Sequence, residues 1–196
     1  MSLLRYISHA EVVIDADVPV PQWGLTDHGR ARVEAMLDQP WVPAIGRVIT
    51  SAETKAVETG TILGDRLGLT IEVRADTGET DRSSTGYVPR AEHDRLSEQF
   101  FGHPERPAQG WERAIDAQHR IVAAVADLLD DNAGLDVAVV GHGGVGTLLW
   151  CHLAGLAIDA RHDQDGAGHY FTFDRRPAQV VHPWRPIDDL EVAGRS

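Results

Sequence analysis

Two histidines stand directly after hydrophobic segments that have the character of β-strands. Residues 3–8 lead into His9, and residues 136–140 lead through Gly141 into His142. In an open α/β sheet, the carboxyl ends of the parallel strands meet at one crevice, where ligands bind. A neutral imidazole in such a crevice can act as a nucleophile, and a second imidazole can donate a hydrogen bond to an anion. The two histidines are therefore predicted to share a pocket.

Phosphoryl transfer is the reaction that these groups suit best. It depends mainly on positioning and on balancing the charge of the phosphoryl oxygens. His9 could attack phosphorus and hold it as phosphohistidine, while His142 and the free N–H groups of the helix that follows it could donate to the oxygens. A carboxylic acid must also protonate the leaving oxygen. The candidate for this role is Glu79, in a loop rich in Gly, Thr, Ser and Asp.

Two other acidic residues compete with Glu79 for the role of proton donor. Glu53 follows the second predicted strand, and Glu72 is predicted to lie within the third. A glutamate in a loop is usually only solvated, so the alternative that Glu79 is a surface residue stays open.

The scaffold that must position these residues is an alternation of strands and helices. Apolar periodicity, caps and breakers predict strands at 3–8, 47–50, 70–73 and 136–140, helices at 28–37, 51–67, 91–101, 111–129 and 144–155, and an antiparallel hairpin at 169–173 and 179–182. Such an alternation is typical of a three-layer α/β/α fold with a mainly parallel central sheet. We expect one domain over residues 1–196, with residues 76–110 as an insertion or lid.

Composition excludes several classes of partner. The chain has 18 basic and 30 acidic residues and a net charge of −12, which repels nucleic acids and anionic membranes. Its single cysteine, Cys151, excludes an intramolecular disulfide and a Cys-rich zinc site. We recognise no signal peptide and no stretch that could cross a bilayer, so a cytoplasmic protein is expected.

A polar cluster, residues 161–165 together with His169, contains side chains of the kind that bind metals. Its spacing matches no established metal motif, and a polar loop before a hairpin accounts for it. No metal site is therefore predicted there.

Four segments, taken in order, resemble the histidine phosphatase superfamily, also called the phosphoglycerate mutase-like family. They are residues 8–10, 25–30, 51–59 and 141–143. The family has Arg-His-Gly after its first strand, then a Leu-Thr-x-x-Gly helix entry. A Ser-Pro-Leu-x-Arg-Ala-x-Gln-Thr helix start, a Glu in the following loop and a second His before Gly come later. The resemblance covers roughly residues 1–155, and its specificity lies in the ordered set of motifs.

This resemblance implies a phosphoglycerate mutase-like fold and a phosphomonoester hydrolase that acts through a phosphohistidine at His9. Glu79 would be the proton donor and His142 a phosphate ligand. The substrate would be a small phosphorylated molecule, and no metal or organic cofactor would be needed. A mutase must bind a second anion, and this acidic chain shows no extra basic cluster for one.

The chain departs from the family motifs at positions that matter chemically. Ser8 and Lys55 stand where the family has arginines, Ala10 replaces a glycine, and Asp15 stands where members often have Asn. Lysine does not replace arginine where two parallel hydrogen bonds are needed. Each charge-assisted hydrogen bond that is lost costs on the order of 1.5–3 kcal/mol, or roughly 10- to 150-fold in rate.

Ser8, Lys55 and Arg82 are the predicted substrate-binding residues. Arg82, in the insertion, could restore the missing positive charge, although a surface ion pair would explain it equally well. Arg5 is a weaker candidate, because it lies on the order of 13 Å back along the first strand. Two alternatives to an efficient phosphatase stay open. One is a weakened family member that acts as a phosphate-ligand sensor or interaction protein, and the other is a nucleotide-binding domain that uses residues 141–146.

Overall fold

The computed structural model describes residues 2–130, 134–176 and 178–191 and contains one six-stranded sheet. The strands are β1 (Leu3–Ser8), β2 (Ile45–Thr50), β3 (Ile71–Val73), β4 (Asp136–Gly141), β5 (His169–Asp174) and β6 (Gln179–Pro186). The α-helices are α1 (Asp27–Met36), α2 (Thr54–Leu67), α3 (Arg90–Gly102), α4 (Ala114–Asp130) and α5 (Gly143–Leu153).

The strand order is β3-β2-β4-β1-β5-β6. β3, β2, β4 and β1 are parallel to one another, whereas β5 and β6 form an antiparallel hairpin beside β1. The predicted mainly parallel sheet and its antiparallel edge hairpin are therefore both confirmed.

Residues of β1 are buried on both faces of the sheet, which shows how the sheet supports two layers of helices. Leu4 and Tyr6 pack into a cluster with residues of α3, α4 and α5, and Ile7 packs into a second cluster with residues of α1 and α2. Neighbouring strand residues point to opposite faces of a sheet, so each face carries its own core. The three-layer α/β/α architecture is confirmed.

Local capping explains two of the helix boundaries. The Thr26 hydroxyl accepts a hydrogen bond from the Gly29 N–H at 2.9 Å at the start of α1. Gly68 ends α2 in the left-handed region, with φ of 66°. The prediction that Ser51 caps α2 was wrong, because α2 begins at Thr54 and its N-cap position is Glu53.

The order of the parallel strands places three polar residues side by side. Ser8 is in register with Gly141, and Thr50 is in register with Val140. The next residues along these chains are His9, His142 and Ser51, which therefore lie at one edge of the sheet. Among the described helices, none has the length and apolar character that a membrane span requires.

Candidate active site

His9 and His142 lie against each other at this edge of the sheet. Their ring centroids are 5.4 Å apart and their planes are inclined at 68°. The backbone N–H of His9 also donates to the Gly141 carbonyl at 3.1 Å, which continues the β1–β4 ladder. The predicted shared position of the two histidines thus follows directly from strand pairing.

The His9 side chain is held in one tautomer. Its Nδ1 lies 2.7 Å from the Ala10 carbonyl oxygen, which can only accept a hydrogen bond, so Nδ1 carries a proton. Burial and the neighbouring His142 lower the pKa of His9 to about 3. The imidazole is therefore neutral near pH 7, and its lone pair is at Nε2. A nucleophile at phosphorus requires this state.

His142 is fully buried and has partners on one side of its ring. Its Nε2 lies 2.7 Å from the Ser51 hydroxyl and 3.4 Å from Oε1 of Glu53. Its Nδ1 is buried without a hydrogen-bond partner among the described residues. Burial lowers the pKa of His142. The ring is thus neutral, and its unpartnered nitrogen is shielded from solvent.

The Glu79 carboxylate binds the N-terminus of α5. Its Oε1 accepts from the N–H of Val145 at 3.1 Å and its Oε2 from the N–H of Gly144 at 3.2 Å. A Cβ at Gly144 would lie 2.8 Å from Oε1, so only glycine allows this approach. Burial raises the pKa of Glu79, but the charge of Arg82 and these hydrogen bonds outweigh it and lower the pKa to about 2.

Arg120 and Tyr6 hold Glu79 and His142 in place through hydrogen bonds to their backbone groups. Arg120 donates to the carbonyls of Gly78 at 2.8 Å and Glu79 at 3.2 Å, and it pairs with Glu112 at 2.8 Å. The Tyr6 hydroxyl donates to the His142 carbonyl and accepts from its N–H, each at 3.1 Å. The loop that carries Glu79 and the turn that carries His142 are therefore both held by the protein core.

Lys55 is buried and already paired. Its ammonium lies 2.5 Å from Oε2 of Glu53 and donates to the Val20 carbonyl at 2.9 Å. Only 4% of the residue is exposed. Burial raises the pKa of Glu53, but its contacts with His142 and with the Lys55 ammonium lower it more, so Glu53 and Lys55 form an ion pair. Lys55 reaches the pocket as predicted, but its charge is balanced within the protein.

Arg82 enters the same pocket from the loop that precedes α3. Its guanidinium donates to Nε2 of His93 at 2.6 Å and lies 5.3 Å from the centroid of the Trp111 ring. Burial and the charge of Arg82 lower the pKa of His93, so this histidine is neutral and accepts the hydrogen bond. The structure thus directs Arg82 towards the cavity.

A cavity of about 830 Å³ opens beside these groups. His9, Glu53, Lys55, Glu79 and Arg82 line one part of it. Most of the remaining wall is apolar and comes from the loop before α1, from Tyr87 and Val88, and from Trp111. Polar residues also line it: Asp17, Thr80, Asp81, Ser83, Arg90 and His93. The cavity therefore combines a small charged end with a broad apolar surface.

Aromatic side chains shape the apolar wall. Trp23 and Tyr87 meet edge to face, with centroids 5.5 Å apart. The Trp23 indole N–H donates to the carbonyls of Asp15 and Val18, each at 3.0 Å. The polar atom of Trp23 is thus used within its own loop, and its ring remains available for apolar contacts.

Several sequence candidates lie outside the cavity. Arg5 pairs with Asp136 at 2.7 Å and lies over Trp41, at the amino end of β1. Asp15 is exposed and accepts from the Asp17 N–H. Glu72, the third candidate proton donor, is exposed on β3. The other alternative, Glu53, does line the cavity.

Ser8 is likewise not brought to the cavity. The residue is fully buried, and its hydroxyl donates to Oε1 of Gln164 at 2.5 Å. The same hydroxyl accepts from the His169 N–H at 3.0 Å. These bonds join β1 to the start of β5, so the geometry gives Ser8 a structural role and does not support its prediction as a phosphate ligand.

Replacing Ser8 with Ala is expected to affect stability more than catalysis. The substitution leaves the buried N–H of His169 without its acceptor, which costs about 1–3 kcal/mol. Chemical denaturation would show a lower midpoint. KM for a phosphate ester would change less than about threefold, which is well below the change in affinity that the loss of one charge-assisted hydrogen bond would cause. A large rise in KM at unchanged stability would contradict this assignment.

The polar cluster before β5 has internal partners. Asp163 accepts from the Thr147 hydroxyl at 2.7 Å, and Nδ1 of His169 lies 3.2 Å from the Ala167 carbonyl. Within residues 2–130, 134–176 and 178–191, no three His, Cys, Asp or Glu side chains are grouped as metal ligands would be.

Sequence reasoning missed three contributors to this site. Ser51 was interpreted as a helix cap, but its hydroxyl binds His142, which is 91 residues away. His93 and Trp111 were not linked to chemistry, although both contact Arg82. Ser51 is part of a quoted motif and could have been found from it, whereas no pattern in the sequence marks the other two.

Comparison with known protein families gives one match. The family model described as the histidine phosphatase superfamily (branch 1) matches residues 10–172. The match begins one residue after His9, beside the modified Arg-His-Gly motif. No curated protein sequence matches the chain.

Solved structures share the fold at low sequence identity. Bacillus stearothermophilus YhfR is 19% identical with a TM-score of 0.77, over 97% of this chain and 98% of its own. A mycobacterial glucosyl-3-phosphoglycerate phosphatase is 20% identical with a TM-score of 0.73, over 94% and 96%. A phosphoserine phosphatase from Entamoeba histolytica, in complex with 3-phosphoglyceric acid, is 16% identical with a TM-score of 0.75, over 92% and 94%.

Proposed function

The chain belongs to the histidine phosphatase superfamily, and from this membership and the geometry of its cavity we propose that it hydrolyses phosphate monoesters through a phosphohistidine at His9. The observation that carries the proposal is the state of His9. Its Nδ1 proton is bound by the Ala10 carbonyl, and the neutral ring lines the cavity with a lone pair at Nε2.

In the first step, Nε2 of His9 attacks phosphorus and the bond from phosphorus to the ester oxygen breaks. The leaving oxygen takes the proton of the Glu79 carboxyl group and departs as an alcohol. Arg82 and Nδ1 of His142 donate to the phosphoryl oxygens. The unpartnered Nδ1 supports this role, because a buried nitrogen without a hydrogen bond is costly unless a ligand supplies one.

Glu79 must gain a proton when substrate binds. In the empty pocket its pKa is about 2, because Arg82 and the start of α5 stabilise the carboxylate. A phosphoryl group places negative charge beside Glu79 and competes for Arg82, and both effects raise the pKa of the carboxyl group. Substrate binding therefore shifts Glu79 towards the protonation state that the first step needs.

In the second step, water attacks the phosphohistidine. Glu79, now a carboxylate, takes a proton from the water as the phosphorus–nitrogen bond breaks, and His9 regains its lone pair. Inorganic phosphate leaves. The step uses only groups that line the cavity or contact it, and it needs no cofactor.

Hydrolysis fits the cavity better than mutase chemistry does. The basic side chains that line it besides the histidines are Lys55, Arg82 and Arg90. Lys55 is paired with Glu53, and Arg90 is exposed and pairs with Asp94 at 3.3 Å. A mutase must bind a second anion while it returns the phosphoryl group. Lys55 and Arg90 are already paired with carboxylates, so the cavity has little positive charge left to bind that anion.

Trapping the intermediate tests the proposal directly. The protein is mixed with an aryl phosphate, denatured at alkaline pH within one turnover and digested. We expect the peptide that contains His9 to gain the mass of one phosphoryl group, and the same peptide from unmixed protein to lack it. Steady-state turnover without a modified His9 peptide would contradict the mechanism.

The pH dependence of kcat/KM follows from the pKa of His9. Because this pKa is about 3, the nucleophile stays neutral between pH 7 and pH 5, and its protonation causes no loss of activity there. The unfolded chain binds this proton near pH 6.5, so the free energy of unfolding decreases as the pH falls from 6.5 towards 3. Pre-steady-state phosphorylation rates measured against pH check the first point, and an acid limb near pH 6.5 that belongs to His9 would contradict it.

A second candidate function is supported by the paired Lys55 and the buried Ser8. At both positions where the family motif has Arg, this chain offers the cavity no unpaired cation. A family member that binds phosphate ligands without efficient turnover would have such a site. Equal residual turnover in the wild type and in His9→Ala would favour this function over hydrolysis.

A further inference from the structure

Glu53 is a carboxylate in the cavity that the proposed mechanism does not use. It occupies the N-cap position of α2, yet its side chain makes no capping hydrogen bond. The carboxylate turns into the cavity instead, where 15% of the side chain is exposed. This chain thus has an acid where the family motif has Leu.

The Glu53 carboxylate bridges the groups that a phosphoryl group would need. Its Oε2 lies 2.5 Å from the ammonium of Lys55. Its Oε1 lies 3.4 Å from Nε2 of His142 and accepts from the N–H of Glu79 at 3.0 Å. A carboxylate and a phosphoryl group present similar anionic oxygens, so both can accept from the Lys55 ammonium and the Glu79 N–H and lie against the edge of His142.

Four charges in the cavity also cancel in pairs. Lys55 is balanced by Glu53, and Arg82 faces the charge of Glu79. His9 and His142 are neutral near pH 7, since burial lowers the pKa of each. A phosphate monoester therefore enters a pocket without net positive charge among these groups, and it must either displace Glu53 from Lys55 or lie beside a like charge.

We propose that Glu53 is an internal competitor of phosphate, whose carboxylate occupies Lys55 and the edge of His142 in the empty site and so sets the affinity for phosphate monoesters and for the phosphate product. This inference rests on the proposed function, because it requires the phosphoryl group to bind at His9. Its consequence for the reaction is weak retention of inorganic phosphate, because the returning carboxylate helps to expel it.

Calorimetric titration with inorganic phosphate tests the proposal without requiring turnover. Glu53→Gln removes the charge but keeps the shape and an acceptor oxygen for Lys55. We expect this variant to bind phosphate about 10- to 100-fold more tightly than the wild type, since one charge-assisted contact becomes available to the ligand. KM for an aryl phosphate is expected to fall similarly, whereas kcat falls if product release becomes limiting.

Matched variants separate local charge from other effects. Glu34→Gln makes the same change in net charge at an exposed position on α1, and it should leave phosphate affinity unchanged. Glu53→Asp retains the negative charge and should bind phosphate no more tightly than the wild type. If Glu53→Gln is unstable without ligand, phosphate should raise its Tm more than that of the wild type, because tighter binding stabilises the folded state more.

The possible results are distinguishable. Tighter phosphate binding by Glu53→Gln but not by Glu34→Gln supports the inference. Equal or weaker binding by Glu53→Gln, with wild-type hydrolysis that depends on His9, overturns the role of Glu53 and leaves the proposed function intact. Absence of both phosphate binding and hydrolysis in the wild type overturns both.

Discussion

Replacing His9 with Ala is expected to lower kcat/KM for an aryl phosphate by about 10⁴- to 10⁶-fold, the range typical of the loss of a covalent nucleophile. The structure gives the reason. The hydrogen bond to Ala10 uses Nδ1 of His9 and leaves the lone pair of its Nε2 free. In His142, by contrast, Nε2 lies against the Ser51 hydroxyl. Alanine leaves water as the nucleophile, without a covalent intermediate.

Release of inorganic phosphate measures this loss, and binding of phosphate measures whether the site persists. We expect His9→Ala to keep a phosphate affinity within about tenfold of the wild type, because Arg82 and His142 remain. His119→Ala, at an exposed position on α4, is the matched control and should retain wild-type turnover. Wild-type activity in His9→Ala would require a different nucleophile.

Replacing Glu79 with Gln is expected to lower kcat for an alkyl phosphate by about 10²- to 10⁴-fold, the usual contribution of general acid catalysis. An alkoxide is a poor leaving group, so its departure depends on the proton of Glu79. For p-nitrophenyl phosphate the loss should be much smaller, because p-nitrophenolate leaves without protonation. The ratio of the two losses isolates proton donation from any structural damage.

The ratio of the two losses is needed because Glu79 also contributes to the structure of the site. Its carboxylate accepts from the N–H groups of Gly144 and Val145, and an amide can accept only through its oxygen. Glu98→Gln, on the exposed side of α3, controls for the change in net charge. Equal losses on both substrates would assign Glu79 a positioning role and direct attention to Glu53 as the acid.

The positions of His9 and His142 could be predicted because they depend on local patterns and one general rule. Apolar runs at residues 3–8 and 136–140 form strands, and each histidine follows its strand directly. Parallel strands place their carboxyl ends at one edge of the sheet, whatever the side chains of the intervening helices. The Ser51 segment reaches the same edge by the same rule.

The assignment of charges at the site could not be predicted in this way. Lys55 was interpreted as a phosphate ligand, but its ammonium is held by Glu53 and by the carbonyl of Val20, a residue 35 positions away. The sequence predicts the same task for Ser8, but its hydroxyl is bound by Gln164, in the loop before β5, and by His169, the first residue of β5. Each outcome depends on a partner that sequence spacing does not indicate.

Arg82 is a residue whose surroundings the sequence leaves open and the tertiary structure decides. The sequence places Arg82 in a polar loop, where a surface ion pair and a role as phosphate ligand explain an arginine equally well. Packing of α3 brings His93 to its guanidinium, and Trp111 lies against it from the segment before α4. These two contacts direct the charge towards the cavity.

Sequence alone thus determined the sheet, its layers and the edge at which the histidines meet, because periodicity and strand order act over short stretches of chain. The tertiary structure decided which charges remain available to a substrate, because ion pairing and burial depend on distances between side chains from separate elements. The case of Glu53 depends on both the sequence and the tertiary structure. Its position in the motif is visible in the sequence, but only the folded cavity shows that it competes for Lys55.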